Sequence, residues 1–283
     1  MIPTITAGIV CFNEENFISP CIEAITKYAD QVIVTDGDFY RDGGEDPNIL
    51  TSASSDETRF YIEKYRHLKN LDIFYLDGLV KMHEKDFRNT QLQLCDTDYF
   101  LLVDADEIWD GEAWEHLLDG LKEDNYKADY YYVGNRLFFW NPECWCINKL
   151  GRVFKNKPGR TFVGLNEISD KESEKILWDP MFAHYGYIDK RNVERKLRLF
   201  YSDGWYRGCG TWWYENIYLA YDGTNEKELF EKNYGTLHPW GKIYPGFAAQ
   251  EFTLIKGKCK HPIYIRQYFD KMGWDSSNTT FIK

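Results

Sequence analysis

The chain contains no run of lysine and arginine, and its 34 Lys and Arg are outnumbered by 45 Asp and Glu, a formal net charge of -11. Nonspecific nucleic-acid binding requires a basic face, so that class of partner is excluded. The least acidic stretch, Lys256 to Lys260, reads as a short solvated turn. An acidic protein still binds a phosphorylated ligand when a divalent cation bridges the two negative partners. Long apolar runs are also missing, so no transmembrane segment is expected. Met1-Ile2-Pro3-Thr4 has neither a basic n-region nor a cleavage site, and a cytoplasmic location is the expectation. The 7 cysteines are odd in number, and Cys144-x-Cys146 lacks the second pair of a zinc site, which points to free thiols in a reducing compartment. No phosphate-cradling G-x-x-x-x-G-K-[ST] occurs. Gly208 and Gly210 are no dinucleotide fingerprint, because no strand precedes them and Trp213 holds the third glycine position.

What is present is enough chain, 283 residues, for one large domain with a sizeable core or a domain with an appendage. Ile5 to Cys11, Gln31 to Thr35, Leu71 to Leu76 and Tyr99 to Val103 read as buried strands. Helical spacing separates them: Ile18 to Ala29, then a helix carrying Tyr61, Tyr65 and Leu68 behind a Ser54-x-x-Glu57 capping box, then Lys85 to Cys95. Alternation of this kind predicts an α/β fold with a mainly parallel central sheet flanked by helices and ligands beyond the carboxyl ends of the strands. After residue 107 the pattern loosens, with strands at Tyr130 to Val133 and Leu137 to Trp140 and a helix from Lys190. The expected division is a ligand-binding half over 1–107, a mixed second half of the same domain over 108–189, and a helical and irregular extension over 190–283.

The strongest local signal is Asp104-Ala105-Asp106-Glu107, directly after the apolar strand Tyr99 to Val103. Two acids spaced i, i+2 at a strand terminus reach one hard cation such as Mg²⁺ or Mn²⁺, which prefers oxygen ligands and shares them with phosphate. The same residues would also serve as a helix cap in a solvated acidic turn. Asp36 ends the second strand in the same way, either as a turn residue or as an acceptor for a ribose hydroxyl or a base N–H. With Cys11-Phe12-Asn13-Glu14-Glu15 after the first strand, three loops converge on one crevice.

These ordered segments resemble family-2 glycosyltransferases with the GT-A fold. The likeness rests on Ile9 to Glu15, Ala29 to Asp36, Ser54 to Thr58, Arg88-Asn89 and Asp104 to Glu107, covers roughly residues 5 to 200, and is nearest the lipopolysaccharide-core glucosyltransferase type. It implies a Rossmann-like nucleotide-binding half, a mixed acceptor-side region, and transfer of a sugar from a nucleotide-diphosphate sugar, UDP favoured, to a carbohydrate or glycoconjugate hydroxyl. By the same resemblance Phe12, Asn13, Glu15 and Asp36 would hold the nucleoside. Arg88 would lie near the base or diphosphate, Asp104 and Ala105 at the ribose. Asp104, Asp106 and His184 would be the ligands of Mn²⁺ or Mg²⁺. Glu167, in Val163 to Ile168, would be the general base of an inverting displacement, with Asp170 in reserve. The sequence departs from the family in Asn166, where the subgroup has histidine, and in the inserted segment after Asp36, a lid, a nucleotide-selecting loop or a decorated surface turn.

Trp140, Trp145 and the run Trp205 to Tyr214 could stack on an acceptor sugar, although core packing accounts for most of them. Peripheral membrane contact stays open for a lipid-linked acceptor. A nucleotidyltransferase, which would want a basic Gly-rich first loop, and a glycan-binding module, which has no need of both Asp104 and Asp106, are the competing readings.

Overall fold

The protein is described by a computed structural model covering residues 2–40, 51–79, 82–200, 210–233, 253–256, 259–272, 274 and 280–282. Most of the insertion after Asp36, and Trp205 to Cys209 of the aromatic run, lie outside the described residues.

Four strands alternate with helices as expected. They are β1 (Ile5–Cys11), β2 (Gln31–Asp36), β3 (Leu71–Tyr75) and β4 (Tyr99–Asp104), with α1 (Ile18–Ile25), α2 (Thr58–Glu63) and α3 (Glu84–Leu94) between them. All three strand pairs, β1 with β2, β1 with β4 and β2 with β3, are parallel. β4 is buried on both faces: Tyr99, Leu101 and Val103 join one core, Phe100 and Leu102 another. Such burial requires the continuous apolar run seen in the sequence.

The second half is more regular than its sequence pattern indicates. The short β5 (Glu107–Ile108) leads into α4 (Gly111–Glu123), where Asp110 caps the helix by accepting from the Ala113 N–H at 2.8 Å. The two strands expected near 130 and 137 are one, β6 (Tyr130–Phe139), since Gly134 and Asn135 continue the ladder. It pairs antiparallel with β7 (Cys144–Lys155) and parallel with β8 (Glu174–Tyr187). The sheet runs β3-β2-β1-β4-β7-β6-β8-β5, and β9 (Thr253–Lys256) adds to β7. Helix α5 (Lys190–Phe200) follows β8. A π-helical turn (Tyr214–Tyr218) and α6 (Glu226–Lys232) pack Trp213, Ile217, Tyr218 and Leu229 against Leu137 and Phe139. The strands β10 (Lys260–Pro262) and β11 (Thr280–Ile282) flank α7 (Arg266–Lys271). No described helix is long and apolar enough to cross a membrane.

One expected feature is built differently. The helix behind the capping box begins only at Thr58, and its N-cap, Glu57, makes no side-chain cap. The Ser54 hydroxyl is instead spent on Asp36 and on the Asn13 N–H, because those partners bring the three loops together.

Two stability predictions follow from the packing. Leu101 is fully buried in β4, so Leu101→Ala is expected to cost about 2–5 kcal/mol in urea unfolding. His261 is buried between the Tyr185 hydroxyl and the Pro142 carbonyl, and burial, with Arg136 nearby, pushes it down to about 4. The unfolded chain therefore binds the extra proton first. Stability is full above the ordinary histidine range and is lost as pH falls from about 6.5 toward 4, by at most about 3 kcal/mol. Replacing His261 by Phe should flatten that limb in unfolding curves recorded across the window.

Candidate active site

The site lies at the carboxyl ends of β1 and β4, in a cleft of about 950 Å³ counting its open mouth. Its floor is Asp104, Ala105 and Asp106. The walls come from Phe12 and Glu14 after β1, Arg88 on α3, Arg152 on β7, Leu165 and Asn166 from the loop before β8, His184 on β8, and Arg195 and Lys196 on α5.

Asp104 is held from both sides. Arg88 Nη2 donates to Oδ1 at 2.8 Å, and Arg152 Nη2 donates to Oδ2 at 2.7 Å. Arg88 reaches it because α3 places residues 84 and 88 on the face turned to the sheet, where Glu84 also receives an Arg88 N–H. Arg152 is 2% exposed and also donates Nε to both oxygens of Glu107, at 3.0 and 3.2 Å, while Nη1 donates to Asn166 Oδ1 at 3.2 Å. Burial works against the Arg152 charge, but Glu107 and Asp104 outweigh it and hold the guanidinium above its ordinary value. Burial pushes the Glu107 carboxyl above its usual range in spite of Arg152.

Asp106 is equally buried, and its partners come from the far side of the sheet. Lys196 Nζ donates to Oδ2 at 2.6 Å, and His184 Nε2 lies 3.4 Å from Oδ1. Burial opposes the Asp106 charge; Lys196 and then His184 overcome it and keep the carboxyl well below the usual range. The pairing of Glu107 with His184 in the β5–β8 ladder sets this height. Neither ring nitrogen of His184 has a hydrogen-bond partner among the described residues, although Nδ1 also lies 3.9 Å from Glu107, and the side chain is 11% exposed. Two unsatisfied buried nitrogens beside a buried carboxylate suit a divalent cation. No set of three or more His, Cys, Asp or Glu groups that could hold a metal is found among the described residues. Asp104, Asp106 and His184 thus line one cleft without forming such a set.

The first loop is locked rather than open. Asn13 adopts φ 56°, a left-handed conformation that asparagine tolerates, and its Oδ1 accepts from the Ser55 N–H at 2.7 Å. Glu15 accepts from Arg191 at 2.8 Å and from the Glu57 N–H at 3.1 Å. Arg195 donates to the Phe12 carbonyl at 2.6 Å and to Glu14. Asp36 is fully buried below the cleft, where Arg59 Nε donates to it at 2.6 Å and Ser54 completes its shell. Asn13 and Phe12, with Arg191, Asn192 and Arg195, line a second, adjoining hollow.

Glu167 is exposed at the base of a short loop closed by the Phe162–Ile168 bridge, one residue beyond the cleft-lining Asn166. Asp170 stands farther along, clamped by Arg160 at 2.7 and 3.1 Å, which holds its carboxyl below the usual range. Of the aromatics proposed for the acceptor, Trp140 stacks on Tyr221 at 4.3 Å and Trp213 is fully buried, so both serve packing. Sequence reasoning missed Arg152, Arg195 and Lys196. The basic helix from Lys190 was a signal for the last two; a lone arginine in Leu150-Gly151-Arg152-Val153 gave none.

Residues 48–173, a little under half of the chain, match the family model Glycosyl transferase family 2. The match includes Arg88, Asp104, Asp106, Arg152 and Glu167. No curated protein matches the chain significantly. Among solved structures, S. aureus TarS is similar with 13% identity and a TM-score of 0.45, over 85% of this chain and 48% of that one. The chain therefore spans about half the length of that protein. TarS 1-349 in complex with UDP-GlcNAc gives 12% identity and a TM-score of 0.46, over 85% and 73% of the two chains. Glucosyl-3-phosphoglycerate synthase from Mycobacterium tuberculosis, in complex with Mn²⁺, UDP-glucose and phosphoglyceric acid, gives 18% identity and a TM-score of 0.35, over 47% and 44%. The α/β architecture, a parallel half continued by a mixed half in one sheet flanked by helices, is the fold class expected from the sequence.

The buried charges generate a prediction. Arg152→Met leaves Glu107 buried without its cation and is expected to cost about 3–5 kcal/mol in denaturant unfolding. Adding Glu107→Gln should recover much of that loss. A double variant whose cost equals the sum of the two single costs would show that the pair is not coupled.

Proposed function

We propose that this chain is a glycosyltransferase that moves a sugar from a nucleotide-diphosphate sugar, UDP favoured, to an acceptor hydroxyl with inversion. The observation that carries the reading is the convergence of Asp106 and His184 in the cleft that Asp104 lines at the carboxyl end of β4. The match of residues 48–173 to Glycosyl transferase family 2 supports it. A structural neighbour solved with UDP-GlcNAc and another with Mn²⁺ and UDP-glucose make those the first donors and the first cation to test.

In this reading Asp106 and His184 hold Mn²⁺ or Mg²⁺, which neutralises charge growing on the leaving diphosphate. Asp104, held in place by its two arginines and partly open to the cleft, accepts from a ribose hydroxyl. The guanidiniums fix its orientation before the donor arrives, so no reorganisation is needed on binding. Phe12, Asn13 and the hollow toward Arg191 take the nucleoside, with Asp36, Ser54 and Arg59 setting the height of that loop from beneath. Glu15, tied to Arg191, closes the same wall. Glu167 takes the acceptor proton; Asp170 is disfavoured for that task because Arg160 occupies it. The acceptor is a carbohydrate or glycoconjugate, following the lipopolysaccharide-core likeness, and the reaction belongs to glycan biosynthesis. Cytoplasmic location and peripheral contact with a lipid-linked acceptor belong to the same proposal, as does the division at 107 and 189.

Thermal shift with nucleoside diphosphates and nucleotide sugars, with and without Mn²⁺, tests the donor site. One base at about 100 times its dissociation constant should add about 2.7 kcal/mol of stability, and Asp106→Ala should abolish the gain. No stabilisation by any nucleotide at millimolar ligand with metal would sink the reading. Binding without donor hydrolysis or transfer would favour a binding module. For the base, Glu167→Gln should lower kcat by about 10²–10⁴-fold with donor KM little changed. If Asp170→Asn does so instead, the base is Asp170.

A further inference from the structure

Among the described residues, Arg88, Arg152, Arg195 and Lys196 line the cleft, and the three arginines are committed to the framework. Arg88 and Arg152 clamp Asp104, and Arg195 ties α5 to the first loop. Lys196 differs: its ammonium sits on Asp106 Oδ2, the carboxylate assigned above to the divalent cation. We propose that Lys196 is the resident counter-cation of Asp106, and that a divalent cation binds there only by displacing it. This rests on the reading that the cleft takes a divalent cation together with its donor.

Three observations support the assignment. Lys196 Nζ and His184 Nε2 approach Asp106 on different oxygens, at 2.6 and 3.4 Å, so the ammonium already fills part of the space between the carboxylate and the imidazole. Their tips converge over Gly186, where a Cβ would lie 2.8 Å from each; glycine there leaves room for both. His184 faces Asp106 at 3.4 Å and Glu107 at 3.9 Å without a closer hydrogen bond among the described residues, which leaves its ring able to turn to another ligand.

The chemistry sets the two occupants against each other. A divalent ion shared by Asp106 Oδ1 and His184 would stand one carboxylate group away from the ammonium on Oδ2, like charges at close range in a buried site. A buried Asp106 also needs a positive partner at all times, so the protein without metal keeps one of its own. Lysine suits the exchange because its charge is compact and its four-carbon stem is flexible, unlike the planar fork of arginine. The Tyr187 ring, 5.4 Å from Nζ, gives the ammonium an aromatic face beside its present site. Once displaced, the charge stays in the cleft where an anionic diphosphate arrives. Metal and donor then favour each other's binding, while the empty protein holds metal weakly.

The test is a Mn²⁺ titration of the nucleotide-free protein, followed by the EPR signal of the free ion. Lys196→Met should bind Mn²⁺ about tenfold tighter than wild type, and Lys196→Arg should stay within about threefold of it, since arginine keeps the charge. The gain should vanish in Asp106→Asn/Lys196→Met. Equal or weaker Mn²⁺ binding by a folded Lys196→Met overturns the proposal. A second measurement needs no variant. Mn²⁺ should raise labelling of Lys196 by an amine-reactive reagent, read by mass spectrometry, and unchanged or reduced labelling also overturns it. No nucleotide is present in either assay, so failure of the glycosyltransferase reading, seen as no nucleotide binding, remains a separate result.

Discussion

The structure depends on how its buried carboxylates are neutralised. Asp104, Asp106 and Glu107 leave the end of β4 within four residues, and Asp106 and Glu107 are almost completely buried. Three uncompensated charges there would undo the fold, since each lost partner costs several kcal/mol. The compensation comes from far along the chain: Arg88 on α3, Arg152 on β7, His184 on β8 and Lys196 on α5. Each must be brought to the same place, so the neutralised cluster works as a cross-link between the parallel half, the mixed half and the helix that follows.

This arrangement also divides labour within the motif. Glu107 is consumed by Arg152 and supports the framework. Asp104 is oriented by two guanidiniums while keeping part of its surface in the cleft. Asp106 is balanced by a flexible lysine and a histidine. Adjacent acids that look alike in sequence therefore differ in partners, and the one paired with a flexible lysine is the one the proposal above lets exchange them.

Secondary structure was legible where a single rule applied. Apolar runs gave the four parallel strands, and the alternation with helices gave the sheet type. The helix at Gly111–Glu123 was equally readable: Asp110 is a cap, and Ala113, Trp114, Leu117 and Leu121 repeat at helical spacing. The long strands β7 and β8 were harder, because Asn148, Lys149, Arg152 and Asp179 interrupt the apolar pattern for reasons that lie in other strands. The Ser54 capping box misled for a related reason, since the hydroxyl serves Asp36 across the turn.

The sequence by itself determined the α/β class, the position of the acidic motif at a strand's carboxyl end, and the acidity that rules out a nucleic-acid face. Those are local properties, set by residue type and spacing over a few positions. Only the tertiary structure decided which cations meet those acids. Arg152 and Lys196 lie 48 and 90 residues from their partners, and no periodicity links positions so far apart. Their pairing is settled by strand order and register, above all by the antiparallel β5–β8 ladder that sets His184 opposite Glu107 and lets α5 return over the cleft.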